Sequence, residues 1–171
     1  MGSKAIEAIA EYQNDVELSL RLYFSEVSPS FSVRFFGLRP EEILAEFNAR
    51  IEETDQRSAF FVLTSLEAAF RLDYECRCRK RMKDPLSRAF RAIYKERETK
   101  VRLDEDIFEA WREHLAGSRR LIGELRGAFN FRHWLAHGRY EEPNLGRKYD
   151  FNSVYDLAAG VLNAFPLHEL D

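Results

Sequence analysis

Residues 59–70 are the most continuously apolar stretch of the chain, and they constrain the fold more than any other segment. A helix that is apolar nearly all round is buried, so we expect this segment to form the central helix of a bundle. Glu67 is its one charged residue. This glutamate either pairs inside the core with an arginine such as Arg132 or lies at the rim.

The N-terminal part of the chain predicts a long helix followed by an aromatic loop. Apolar residues recur at steps of three and four over residues 5–27, which is typical of a helix that packs along a neighbour. Residues 31–39 are then rich in phenylalanine. We expect Phe31, Phe35 and Phe36 to tuck under the bundle, while a loop that faces a partner is the alternative.

The next helix is expected to begin at Pro40, because proline is favoured in the first turn. Its apolar face continues to about residue 53. Thr54 and Asp55 predict a break or cap at that point, before the central helix begins and runs on into basic residues up to position 81.

Capping residues predict the later helix starts. Asp84 and Asp104 each precede a helical pattern, Ser118 precedes another, and Ser153 with Asp156 resembles a capping box. No segment predicts a strand convincingly. The sequence therefore indicates an all-α fold, with residues 1–171 forming a single helical bundle of about six helices.

Length and composition favour an ordinary globular protein in a reducing compartment. A chain of 171 residues can bury a core as one domain. No apolar run approaches the roughly 20 residues that span a bilayer, and the first residues do not resemble a signal peptide. Cys76 and Cys78 point to nearly opposite sides of a helix, which disfavours a disulfide between them. We expect a cytoplasmic protein that does not bind a membrane.

Charge is distributed unevenly along the chain. Residues 77–102 contain 11 Lys or Arg and 3 Asp or Glu, whereas the whole chain has a net charge of −3. Such asymmetry predicts either an anionic partner for this region or a solvated helix pair that acidic residues elsewhere balance.

Residues 129–140 concentrate the chemistry-bearing side chains in one helical segment. Gly138 is expected to end this helix in a left-handed conformation. An apolar stripe on the helix continues onto Arg132, and a buried arginine needs a carboxylate, a phosphate or a partner surface. A second, polar stripe follows the helical spacing and includes Arg126, Asn130, His133 and His137.

The spacing Arg132-x4-His137, closed by His137-Gly138-Arg139-Tyr140, resembles the R-x4-6-H motif of the HEPN superfamily of all-α ribonucleases and toxins. The resemblance covers the architecture of most of the domain but only residues 129–140 in residue detail. It implies a HEPN-like homodimer that cleaves RNA without a metal or other cofactor, as a toxin or defence effector. It also implies that an antitoxin such as a nucleotidyltransferase is a possible partner.

The resemblance further implies roles for individual residues. Arg132 would stabilise the phosphate, His137 would be the general acid or base, and His133 would orient a partner or the substrate. Histidine and arginine suit these proton-transfer and phosphate-binding roles, and two copies across a dimer axis would complete the set. The expected substrate-binding residues are Arg126, Asn130, Arg139 and Tyr140, although Tyr140 lies one position further along than in the related R-x4-H-x-Y pattern.

Two other interpretations of the same segment remain open. Arg132 can pair with a buried carboxylate while the histidines cap the helix and Trp134 packs in the core. The protein would then be a noncatalytic helical module that binds RNA or a protein through its dimer or its basic region. A metal at His133 and His137 is disfavoured, because no glutamate follows His133 and no third ligand is evident.

Overall fold

The computed structural model describes residues 2–98, 100–139 and 145–169. Across these residues the protein is helical and has no strand, which confirms the all-α prediction. None of these helices is long and apolar enough to cross a membrane. The described residues form seven α-helices, where about six were expected, and a π-helical turn, Leu103–Phe108. The α-helices are α1 (Gly2–Tyr23), α2 (Phe31–Arg34), α3 (Pro40–Arg79), α4 (Pro85–Arg97), α5 (Glu109–His114), α6 (Arg119–Ala136) and α7 (Phe151–Ala164).

Helix α3 is 40 residues long and runs through the predicted break, which is therefore wrong. Thr54 donates its hydroxyl hydrogen to the Arg50 carbonyl at 2.8 Å, so this side chain is satisfied within the helix. Asp55 accepts a hydrogen bond from the backbone N–H of Phe151 at 2.9 Å. The residue that resembled a cap for its own helix thus caps the first turn of α7 instead.

The centre of α3 is the core of the bundle, as its apolar sequence predicted. Ala59, Val62, Leu63 and Phe70 are fully buried, and α3 contacts α1, α4, α6, α7 and the π-helical turn. Phe61 departs from the expectation, because 58% of it is exposed. The central helix therefore has one open side.

Helix α1 packs along α3, and its apolar repeat is interrupted by a polar residue that has a buried partner. The hydroxyl of Ser58 donates to the side-chain oxygen of Gln13 at 2.5 Å. Burial of this amide is tolerated because its oxygen is hydrogen-bonded. The helix ends at Tyr23, before the predicted residue 27, and Val27 is 83% exposed.

The aromatic segment after α1 contains the short helix α2 and only partly enters the fold. Phe35 is buried and stacks on Phe24, with ring centroids 5.1 Å apart. Phe31 contacts Phe35 at 5.0 Å and is half-buried. Phe36 is 90% exposed, so the prediction that it tucks under the bundle is wrong. The positive φ of the neighbouring Gly37 marks a turn beside it.

The segment before α5 starts differently from the prediction. Asp104 does not cap it; the side chain of Asp106 accepts a hydrogen bond from the Arg102 N–H at 2.8 Å. The N–H of Ile107 bonds to the Arg102 carbonyl five residues back, which produces the π-helical turn. Asp104 is left to bind Arg126 on α6.

Helix α7 confirms the predicted amphipathic helix but begins earlier. Its capping box joins Asp150 and Ser153, with the Ser153 N–H 2.8 Å from the Asp150 carboxylate. Ser153 is therefore the third helical residue, and the predicted box between Ser153 and Asp156 is wrong. At the start of α6, Ser118 occupies the N-cap position, but its hydroxyl bonds backward to the Leu115 carbonyl.

Candidate functional site

The R-x4-H segment forms the C-terminal half of α6, with its apolar side against the core. The buried residues of this helix are Ile122, Leu125, Ala128 and Phe131. Gly138 has a φ of 91°, and the Arg139 N–H donates to the Trp134 carbonyl at 3.3 Å. These are features of a Schellman motif, and they confirm that Gly138 terminates α6, whose last helical residue is Ala136.

Arg132 lies at the edge of the core and forms an ion pair with α3. One terminal nitrogen of its guanidinium is 3.0 Å from Glu67, and 29% of the arginine side chain is exposed. The centre of the guanidinium lies 5.6 Å from the centroid of the Phe60 ring, within cation–π range. Its Nε is buried and has no hydrogen-bond partner within the described residues. One donor of this arginine is therefore unused.

Glu67 holds two arginines with its two oxygens. Arg71, one turn further along α3, donates to Oε1 at 2.8 Å, while Arg132 contacts Oε2. Glu67 thus pairs with Arg132, as one alternative predicted, but it does so at the partly exposed rim that the other alternative predicted. Because 18% of the Glu67 side chain remains exposed, solvent reaches the pair.

The rings of His133 and His137 contact each other at the end of α6 in a tilted arrangement. Their ring centroids are 4.1 Å apart, with an angle of 49° between the planes, and both residues are exposed. In the described part of the chain, neither imidazole forms a hydrogen bond. The two rings are one turn apart on the helix, which brings four ring nitrogens to one exposed surface.

The other predicted substrate-binding residues do not all gather around these histidines. Arg139 forms an ion pair with Glu53 at 2.5 Å, back on α3. Asn130 is exposed on α6. Arg126 bonds to Asp104 and Glu109, at a level of α6 about 16 Å along the axis from His137. Tyr140 lies outside the described residues.

Hydrogen bonding alters the acidity of the carboxylate beside Arg139. The guanidinium of Arg139 lowers the pKa of Glu53 below its ordinary value through that hydrogen bond, and Arg57 adds to the effect from the same helix. The carboxylate is therefore ionised over the whole neutral range, which keeps Arg139 paired.

A shallow hollow of about 370 Å³ borders this end of α6 and was missed in the sequence. Phe60, Phe61 and Leu135 give it an apolar lining, and Arg57 and Arg139 lie at its edge. The apolar run of α3 predicts burial on nearly all sides. The exposure of Phe61 shows that part of this apolar run lies at the surface of the protein instead.

Among the described residues, no group of three or more His, Cys, Asp or Glu side chains is arranged to hold a metal ion. What the end of α6 offers chemically is a pair of imidazoles that can act as acid and base.

No family model, curated protein or solved structure matches this chain.

Proposed function

We propose that the protein is a metal-independent endoribonuclease of a toxin or defence type, whose site is the C-terminal end of α6. The observation that carries this proposal is the exposed pair of His133 and His137, whose rings are in contact and which follow Arg132 by one and five residues. Two imidazoles on one surface can provide a base for the RNA 2′-hydroxyl and an acid for the leaving 5′-oxygen.

The role proposed for Arg132 is to stabilise the phosphate as it gains charge. Its planar guanidinium matches phosphate oxygens, and because its Nε is buried the contacts would come from the terminal nitrogens. The terminal nitrogen that now contacts Glu67 is less available, so full engagement with phosphate requires exchange of that carboxylate. A second subunit would supply another Arg132 and His137, and the site proposed here is completed by such a dimer.

The experiment is cleavage of a mixed RNA pool by the purified protein in EDTA, beside Arg132→Ala and His137→Ala. Loss of one general acid or base costs about 100-fold or more in rate. We expect both variants to lose cleavage and the products to carry a cyclic phosphate and a 5′-hydroxyl. His114→Ala removes another exposed histidine, at the end of α5, and is the matched control.

Two checks decide how that experiment is interpreted. The oligomeric state and circular dichroism of each variant must match those of the parent, so that lost cleavage is not lost folding. Cleavage that persists undiminished in His137→Ala would exclude the proposed chemistry.

The second candidate is a noncatalytic module that binds RNA or a protein partner. It is favoured by the pairing of every predicted arginine with a carboxylate of its own chain: Arg132 with Glu67, Arg139 with Glu53, and Arg126 with Asp104 and Glu109. A folded dimer that binds RNA in EDTA without cutting it, alone and with a candidate antitoxin removed, would support this module over the nuclease.

A further inference from the structure

A second surface of the molecule carries the positive charge that the sequence located in residues 77–102. In the structure some of these basic residues form internal ion pairs, and others line a surface groove. Arg77 is buried and bonds to Asp73 at 2.7 Å, and Arg97 contacts Asp106 at 3.0 Å. These two arginines are used internally, so the accessible charge must be sought among the remaining basic residues.

Five of the other nine basic residues of this segment, together with Arg71, line an open groove of about 1200 Å³ between the C-terminal part of α3 and helix α4. Glu75 and Glu98 are its two acidic lining residues. Its six basic lining residues are Arg71, Arg79, Arg81, Arg88, Arg91 and Lys95. Clefts lined by one sign of charge concentrate ligands of the opposite sign.

Three of these six basic side chains are free to bind a ligand, whereas Arg71 donates to Glu67 and Arg91 donates to the Met82 carbonyl at 2.6 Å. Arg81, Arg88 and Lys95 are exposed and have no side-chain partner within the described residues. Arg79 has only a 3.3 Å contact with Glu75, and 70% of its side chain is exposed. The groove therefore differs from a solvated helix pair, in which acidic neighbours would balance each cation.

The residue types in the groove indicate phosphate as the anion. Five of its six cations are arginines, whose planar forks match phosphate oxygens better than a lysine does. Tyr94 also lines the groove and is 53% exposed, so its ring is available to stack on an unpaired base. A concave, aromatic-containing groove fits a single strand better than a flat membrane surface.

The groove is also linked to the end of α6 through one carboxylate. Arg71 lines the groove and donates to Glu67, whose second oxygen contacts Arg132. A strand lying in the groove would thus approach the pair that holds Arg132. Glu67 is the point at which the two surfaces meet.

We propose that the groove between α3 and α4 binds the phosphate backbone of single-stranded RNA, with Tyr94 stacking on a base. The choice of RNA over other single strands rests on the nuclease function proposed above, whereas the choice of a phosphate backbone rests on the groove itself. Arg81, Arg88 and Lys95 provide the main phosphate contacts, and Arg71 leads the strand toward Glu67.

The test is fluorescence anisotropy with a fluorescein-labelled oligouridylate, in EDTA and on a His137→Ala background that prevents cutting. The double variant Arg81→Gln/Arg88→Gln is expected to bind about tenfold more weakly. Its slope of log affinity against log salt is expected to fall by about 0.7 for each lost phosphate contact. Arg50→Gln/Arg120→Gln removes the same charge from exposed positions outside the groove and is the matched control.

Tyr94 supplies an independent test of the single-stranded ligand. Tyr94→Leu is expected to weaken binding at least about fivefold, whereas Tyr94→Phe keeps the ring and the affinity. Equal weakening by the groove and control double variants would overturn the proposal. Binding of polyglutamate or duplex RNA as tightly as the single strand would overturn it too.

Binding and cleavage fail separately in this design. If the parent cuts no RNA, but Arg81→Gln/Arg88→Gln weakens oligouridylate binding, the groove proposal is supported and the nuclease proposal is wrong. If the parent cuts RNA and the groove variants keep the parental affinity and KM, the nuclease stands and the groove falls.

Discussion

The C-terminal end of α6 and the groove between α3 and α4 differ in whether their arginines are paired with carboxylates. At the end of α6, Arg132 and Arg139 are each bound to a carboxylate of α3. In the groove, Arg81 and Arg88 have no partner within the described residues. The resemblance in sequence therefore lies where arginines are already paired, and the free arginines lie where no motif was seen. A motif locates residue types, while ion pairing decides which of them can take a ligand.

The largest effect is expected from the one arginine of the basic segment that is wholly internal. Arg77 bonds to Asp73 at 2.7 Å and to the Pro166 carbonyl at 2.8 Å. Removing one partner of a buried ion pair costs about 3–5 kcal/mol, so Arg77→Ala should lower the free energy of unfolding by that amount in urea titrations. Arg79→Ala, two residues on and exposed in the groove, should change it by about 0.5 kcal/mol or less. Similar losses in both variants would contradict the division of this segment into internal and groove residues.

An intermediate effect is expected at the carboxylate that joins the two regions. Glu67→Gln leaves Arg132 and Arg71 without their shared anion, at a site that solvent partly reaches. We expect the free energy of unfolding to fall by about 1–2 kcal/mol, measured by urea titration. We also expect oligouridylate to bind more tightly, because two cations are released. For the unfolding measurement, Glu75→Gln removes the same charge from an exposed pair and serves as the control, with an expected loss of about 0.5 kcal/mol or less.

The smallest effect concerns the acid side of the stability profile. The hydrogen bond from Arg139 lowers the pKa of Glu53 in the folded state. The stability that this glutamate contributes is present above its unfolded pKa of about 4.3 and is lost as pH falls through the folded pKa. Glu53→Gln should therefore reduce the loss of unfolding free energy at acid pH by about 0.2–0.5 kcal/mol, as measured by unfolding at successive pH values. If the unfolding free energy of the variant fell at acid pH as steeply as that of the parent, the Arg139–Glu53 pair would contribute nothing to stability.

Local patterns predicted the parts of the fold that local forces control. Gly138 ends α6 because a left-handed residue is needed there, and the apolar face of α7 is buried as its spacing indicated. Asp84 caps α4 by accepting a hydrogen bond from the Ser87 N–H at 3.0 Å. Each of these features is decided within a few residues of the chain, so the sequence contains the necessary information.

The features that the sequence missed depend on residues far apart in the chain. Asp55 caps α7, 96 positions away, and so α3 continues where a break was expected. Arg77 resembled the other basic residues until the fold placed it against Asp73 and the Pro166 carbonyl. The same limit applies at the candidate site, where pairing with Glu53 and Glu67 sets the availability of Arg139 and Arg132.

The length of α3 has a mechanical consequence. Its 40 residues span about 60 Å, and no glycine or proline follows Pro40 to act as a joint. One continuous helix thus connects three features of the molecule: the exposed segment around Phe36, the ion pairs with α6, and the basic groove. A force applied to the segment around Phe36 would therefore be transmitted to the groove by a tilt of α3 as a whole.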